Sequence, residues 1–201
     1  MKISIIDYGA CNIESVRNAV YNLGAEVEII RDASKISKSD KIILPGVGAA
    51  KSAVDYLKNN TFFYEIQKFL KTGKPFLGIC LGYQLLAKKL TEHGISEGLD
   101  IIDAEVINFN NNRFHIGWNE VNLSKNLKEF FKLENSPSFY FCHSYFVKFN
   151  NQKNFEYANT KYDIEFPSMI MKENILATQF HPEKSQGNGK ILLERFIDWR
   201  P

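Results

Sequence analysis

Three short runs, Ile3-Ser4-Ile5-Ile6, Ile42-Ile43-Leu44 and Phe76-Leu77-Gly78-Ile79, are apolar at nearly every position rather than at every second one. A strand with one wet face alternates, so strands like these must be covered on both faces. Between and around them the spacing is helical. Ile13, Val16, Val20 and Leu23 recur on one face and stop at Gly24; Val54 and Leu57 mark a second helix. Thr61 reads as the cap of a third, running to Leu70, and Leu81 to Leu90 as a fourth. With Val27 to Ile30 as a further strand, residues 1–90 alternate strand and helix, which predicts an α/β fold with a mostly parallel central sheet flanked by helices.

After Gly98 the texture changes. Ala104 to Phe109, Glu120-Val121, Phe139 to Val147, Ser168 to Met171 and Ile175 to Gln179 read as strands, with a short helix at Leu127 to Phe131. Antiparallel pairs are expected here, followed by a closing helix from Gly189 to Trp199. Asn108 to Asn112 and Asn150 to Asn154 read as turns. No repeat or linker interrupts the chain, so residues 1–201 are expected to form a single domain.

Composition narrows the function classes. A formal charge of +2 over 201 residues, with no basic stripe, gives no reason to expect a nucleic acid or a membrane surface. No apolar stretch has membrane-spanning length, and Met1-Lys2 leads straight into a strand, not a signal peptide. Cys11, Cys80 and Cys142 are odd in number and widely spaced, which suggests free thiols and a cytoplasmic protein. No His/Cys spacing suggests a metal.

Gly78-Ile79-Cys80-Leu81-Gly82 is the sharpest motif. It follows a strand and opens a helix, the context of a nucleophile elbow. A nucleophile on so tight a turn sits in strained backbone, and glycines on either side let neighbouring chain pass. The helix start favours thiolate, and the Leu81 amide follows the nucleophile toward the oxyanion. Alone, the motif is equally consistent with a buried structural cysteine.

Gln179-Phe180-His181-Pro182-Glu183 tips the balance. Pro182 holds His181 extended, and residues two apart on an extended chain share a side, so His181 and Glu183 can meet. A carboxylate on imidazole is the third member of a triad. The Pro45-Gly46-Val47-Gly48 turn ends a parallel strand where such sheets bind ligands, and the amides of Val47 and Gly48 are candidate second oxyanion donors. Among the rivals, Cys142 and His143 are strand neighbours facing opposite ways and cannot pair; Cys142 is expected in the core. His93 reads as a solvated helix end, and His115 is equally consistent with an ordinary turn.

Leu77-Gly78-Ile79-Cys80-Leu81-Gly82-Tyr83-Gln84 together with His181-Pro182-Glu183 resembles the class I (triad) glutamine amidotransferases. Asp7-Tyr8-Gly9 with Asn12, Pro45 to Gly48, His115 to Asn119, His143-Ser144-Tyr145 and Lys184-Ser185-Gln186 are similar to one branch, the HisH glutaminase subunits of imidazole glycerol phosphate synthase. The resemblance implies the flavodoxin-like fold of that class and a glutamine site. In that site Gln84, His143, Ser144 and Tyr145 hold the amino-acid end, and Gly48 and Leu81 face the amide. It also implies a HisF-type (β/α)8 cyclase partner in a heterodimer, and no metal or organic cofactor. Cys11, Phe114 and the absence of a Pro-Gly turn within Leu99 to Val106 depart from the branch pattern. A paralogue feeding a surface-sugar, acetamidino-forming amidotransferase is the alternative. A cysteine-variant α/β-hydrolase is disfavoured because Glu183 follows His181 rather than preceding it. A non-catalytic binding module would have lost a triad position, and none is lost.

Overall fold

The structure, a computed structural model, describes every residue except Met1, Ala10, Cys11, Glu134, Asn135 and residues 152–154. The expectations for Cys11 and for the end of the second Asn-rich turn therefore lie outside the described residues.

The N-terminal half runs β1 (Lys2–Ile6), α1 (Ile13–Tyr21), β2 (Glu26–Ile30), β3 (Lys41–Gly46), α2 (Ala50–Asn59), α3 (Phe62–Leu70), β4 (Phe76–Cys80) and α4 (Leu81–Gln84). Then follow β5 (Ala87–Leu90), β6 (Ser96–Glu97), β7 (Ile102–Asn108), β8 (His115–Glu120) and α5 (Lys125–Phe131). The chain closes with β9 (Ser138–His143), β10 (Tyr145–Phe149), β11 (Glu156–Lys161), β12 (Glu165–Lys172), β13 (Ile175–Thr178) and α6 (Gln186–Asp198).

Among the described residues the main sheet has the order β11-β12-β13-β4-β3-β1-β2. β2, β1, β3, β4 and β13 are mutually parallel, while β12 and β11 complete the sheet antiparallel. The continuous apolar runs are explained by two cores. Ile42, Leu44 and Phe76 pack toward α2 and α3 with Leu57, Phe62 and Ile66. Ile3, Ile5, Ile43, Leu77 and Ile79 pack on the other side with Val16 and Val20 of α1 and Leu192 and Phe196 of α6. Each such side chain contributes roughly 1.5–3 kcal/mol by leaving water. Smaller sheets, β10-β7-β5-β6 and β8-β9, sit beside the main one.

Several expectations need correction. The helix from Leu81 to Leu90 ends at Gln84, and Ala87–Leu90 is a strand parallel to β7. The carbonyls of Leu85 and Leu86 are taken by the amides of Leu99, Ile101 and Ile102, so they cannot serve amides one turn on. Thr61 does precede α3, but at φ 63 and without a side-chain cap bond. Phe139 to Val147 is two strands broken at Ser144, where the chain passes from the β8-β9 ribbon to the β10-β7 sheet. Of Glu120-Val121 only Glu120 is strand, the last residue of β8, and His115 lies within that strand instead of a turn. β11 was not legible because it is a polar edge strand, Glu-Tyr-Ala-Asn-Thr-Lys, with a register shift at Ala158/Asn159.

Candidate active site

β3, β4 and β13 lie side by side, and the chain leaving the C-terminal end of each carries part of the site. At the end of β4, Cys80 has φ 54 and ψ −106, a conformation that costs on the order of 1–3 kcal/mol for a side chain with a Cβ. The surrounding packing enforces it. A Cβ on Gly82 would lie 1.8 Å from the Leu44 carbonyl oxygen, and one on Gly78 2.8 Å from the Gly82 carbonyl oxygen. A Cβ on Gly46 would lie 2.8 Å from the Leu81 Cβ. The glycines thus let β3 and the β4–α4 turn approach to backbone contact, which leaves the strained residue no other course.

After β13, His181 is extended (φ −99, ψ 96), as Pro182 dictates. Glu183 then meets it because Pro182–Lys184 closes a 3-10 turn, not because an extended chain brings alternate residues together. His181 Nδ1 lies 2.8 Å from Glu183 Oε1, with both side chains buried. Ser185 Oγ donates to the His181 carbonyl at 2.6 Å and accepts from the Tyr140 amide at 2.9 Å, tying the turn to β9. His181 Nε2 has no oxygen or nitrogen partner among the described residues, and Cys80 is its ionisable neighbour. Burial opposes the imidazolium. The Cys80 sulfur and the Glu183 carboxylate overcome that opposition and hold the His181 pKa up at about 10.

In front of Cys80 opens a cleft of about 420 Å³. Val47, Gly48, Leu81, Gln84, His143, Ser144 and Tyr145 all line it, so each residue expected around the substrate lies in one place. Gly48 has φ +94, which suits glycine. Both N–H groups of the Gln84 side chain are used, one to the Tyr145 carbonyl at 2.8 Å and one to Gln179 Oε1 at 3.1 Å. The His143 ring turns inward. Its Nδ1 is 2.8 Å from the Tyr145 carbonyl and its Nε2 3.0 Å from His115 Nδ1. Burial lowers the pKa of His143 to about 3 and that of His115 to about 4, so the pair is neutral. A wider depression of about 890 Å³ lies at the opposite, N-terminal ends of β4 and β13 and holds none of these residues.

The family model for "Glutamine amidotransferase class-I" matches residues 4–199. The chain belongs to the class-I glutamine amidotransferases. Within them it belongs with the HisH subunits. It is 43% identical over 196 residues to the imidazole glycerol phosphate synthase subunit HisH of Caldanaerobacter subterraneus, covering 96% of each chain. It is 40% identical over 200 residues to HisH 1 of Campylobacter jejuni, covering 97% of this chain and 98% of that one. The structure of PurLQS from Thermotoga maritima matches with a TM-score of 0.77 at 17% identity, over 98% and 97% of the two chains. A glutamine amidotransferase from the same organism matches at 0.68 and 19%, over 98% and 83%. At those identities the two structures speak for the fold.

This amidotransferase also brings residues to the cleft that the sequence did not announce. Glu92 lines it, and its Oε2 accepts the Ala50 amide at 2.6 Å, capping α2. His93 lines it from a turn after β5, which corrects its reading as a helix end. Cys142 is exposed at its rim, not in the core: the alternation along β9 was right, but His143 takes the inner side. Phe114 stands at the same rim. Gln179, fully buried, places its Nε2 3.6 Å from Cys80 Sγ. No spacing pattern marked it.

Proposed function

We propose that this chain is the glutaminase subunit of an imidazole glycerol phosphate synthase, with residues 1–201 as a single amidotransferase domain working in the cytoplasm. The carrying observation is Cys80 on a strained strand-to-helix turn beside the buried His181–Glu183 pair, at the C-terminal ends of neighbouring parallel strands. Cys80 Sγ attacks the side-chain carbonyl of glutamine. The amides of Leu81 and of Val47 or Gly48 receive the oxyanion. His181 delivers its proton from Nε2 to the departing ammonia while Glu183 holds Nδ1–H. Water, deprotonated by His181, then hydrolyses the γ-glutamyl thioester to glutamate. Ser144, Tyr145 and the remaining acceptor of Gln84, its Oε1, hold the amino-acid end. His143 supports the Tyr145 peptide from behind.

The partner surface lies beside the cleft. Phe114, Ile116 and Trp118 are 65%, 63% and 49% exposed at alternate positions, with Cys142 and Tyr140 paired opposite Ile116 and Trp118. Side chains so apolar and so exposed on one ribbon face suit a protein interface. A HisF-type cyclase docked there would receive ammonia before it meets bulk water. Among the described residues no helix is long and apolar enough to cross a membrane.

The test is synthesis by the reconstituted complex. Cys80→Ala should abolish the glutamine-driven reaction and leave the ammonium-driven one intact. Loss of both with the complex assembled would refute the assignment of Cys80 to the glutaminase half alone. Trp118→Asp should weaken assembly. Failure of the wild-type chain to assemble with a histidine-pathway cyclase would favour the acetamidino-forming alternative.

A further inference from the structure

We propose that Gln179 is a further catalytic residue, one whose side-chain N–H holds the Cys80 sulfur as thiolate; this rests on the reading of Cys80 as nucleophile. Gln179 follows β13 directly, is fully buried, and has its backbone amide bound to the Ser168 carbonyl at 2.8 Å. Its backbone is thereby fixed at the end of β13, and its side chain is enclosed. The orientation of its amide is dictated by a chain of bonds with a fixed sense. The Tyr145 carbonyl can only accept, so Gln84 must present nitrogen to it. The second N–H of that nitrogen goes to Gln179, which must answer with Oε1. Nε2 of Gln179 is then the atom left facing Cys80 Sγ at 3.6 Å.

The same logic fixes the far end. Because the Tyr145 carbonyl accepts from His143 Nδ1, His143 Nε2 accepts from His115 Nδ1, and His115 Nε2 accepts from Asn119. Every group behind Gln179 is committed, so its amide cannot flip without leaving buried groups unpaired.

A donor held this way beside a buried sulfur favours a sulfur that accepts. Thiolate is a strong acceptor and thiol a weak one. The rival partner, the Cys142 carbonyl, would favour S–H but stands 4.0 Å away, farther than Gln179 Nε2. No proton or electron passes through Gln179. It stabilises the sulfur anion before attack and again when thiolate leaves the thioester.

Alkylation of Cys80 by iodoacetamide, followed from mildly acid to alkaline pH in the full chain, tests this. Gln179→Met should slow the reaction about tenfold or more at acid pH, with the deficit closing as pH rises. Turnover of glutamine in the complex should fall by a similar factor, with KM changed less than about twofold. A deficit equal at every pH, or wild-type rates, would overturn the role. Should the methionine variant not fold, the wild-type chain decides. The side-chain amide resonance of Gln179 should shift on alkylation of Cys80, and an unmoved resonance overturns the proposal. If the wild-type chain keeps its glutaminase activity after Cys80 is alkylated, the nucleophile assignment itself fails, which is a separate outcome.

Discussion

His181 Nδ1 and Glu183 Oε1 stand 2.8 Å apart across a single 3-10 turn, with 3% and 2% of their side chains exposed. A carboxylate so placed fixes the tautomer, so that Nε2 is the atom presented to Cys80, and it stabilises the imidazolium that forms. In the proposed mechanism the imidazole moves protons and the carboxylate does not. His181→Ala should therefore cost on the order of 10²–10⁴ in glutaminase turnover, and Glu183→Gln distinctly less. Steady-state kinetics of both variants in the complex decide it. Equal losses would make Glu183 a proton-transfer or substrate-binding group.

Cys80 and Cys142 border the same cleft, but the His181 imidazole neighbours Cys80, while His143 turns away from Cys142 to His115 and the Tyr145 carbonyl. A glutamine-mimicking electrophile should label Cys80 first, despite the greater exposure of Cys142. Peptide mapping by mass spectrometry reads the order. Comparable labelling rates would mean that exposure, not activation, governs reactivity here.

Gly82 and Gly48 should fail in different ways. Alanine at Gly82 drives a Cβ to 1.8 Å from the Leu44 carbonyl, where only backbone could give, and should cost roughly 3 kcal/mol or more. Alanine at Gly48 meets nothing within 4 Å, but φ +94 strains it by about 1–2 kcal/mol. Denaturant unfolding measures both. Activity of the folded Gly48→Ala chain should still drop, because strain there turns a candidate oxyanion amide. Unchanged activity would remove Gly48 from the site.

Burial holds His143 and His115 neutral, with pKa values near 3 and 4 against about 6.5 in the unfolded chain. Below pH 6.5 the unfolded chain takes up protons that the folded one refuses. The stability these residues contribute is thus complete above about 6.5 and is lost as pH falls toward 4 and 3. His181 has the opposite sign. Its raised pKa gives stability that is full below about 6.5 and is lost as pH climbs toward 10. Thermal unfolding should already weaken between about pH 6.5 and 5, above the ordinary carboxylate range, and His115→Gln should flatten that limb. A flat limb in the wild-type chain would mean the histidines are solvated.

Much of the architecture and part of the site were dictated locally. Consecutive apolar residues in β1, β3 and β4 could only be satisfied by cover on both faces, and two cores supply it. Gly78 stands two residues before Cys80 because a Cβ there would meet the Gly82 carbonyl of the same turn, and Pro182 sets the backbone of His181 by its own sterics. These effects act within a few residues, so the sequence alone determined them. Tertiary structure decided the rest. Ala87–Leu90 has a helical pattern but became strand when Leu99, Ile101 and Ile102 captured the carbonyls before it. Alternation separated Cys142 from His143 but could not say which faced inward, because that depends on what β8 places opposite. Gln179 meets Cys80, and His115 meets His143, across distant segments. Such contacts arise only when the sheet brings those segments together, where a buried polar group must take whatever partner the fold supplies.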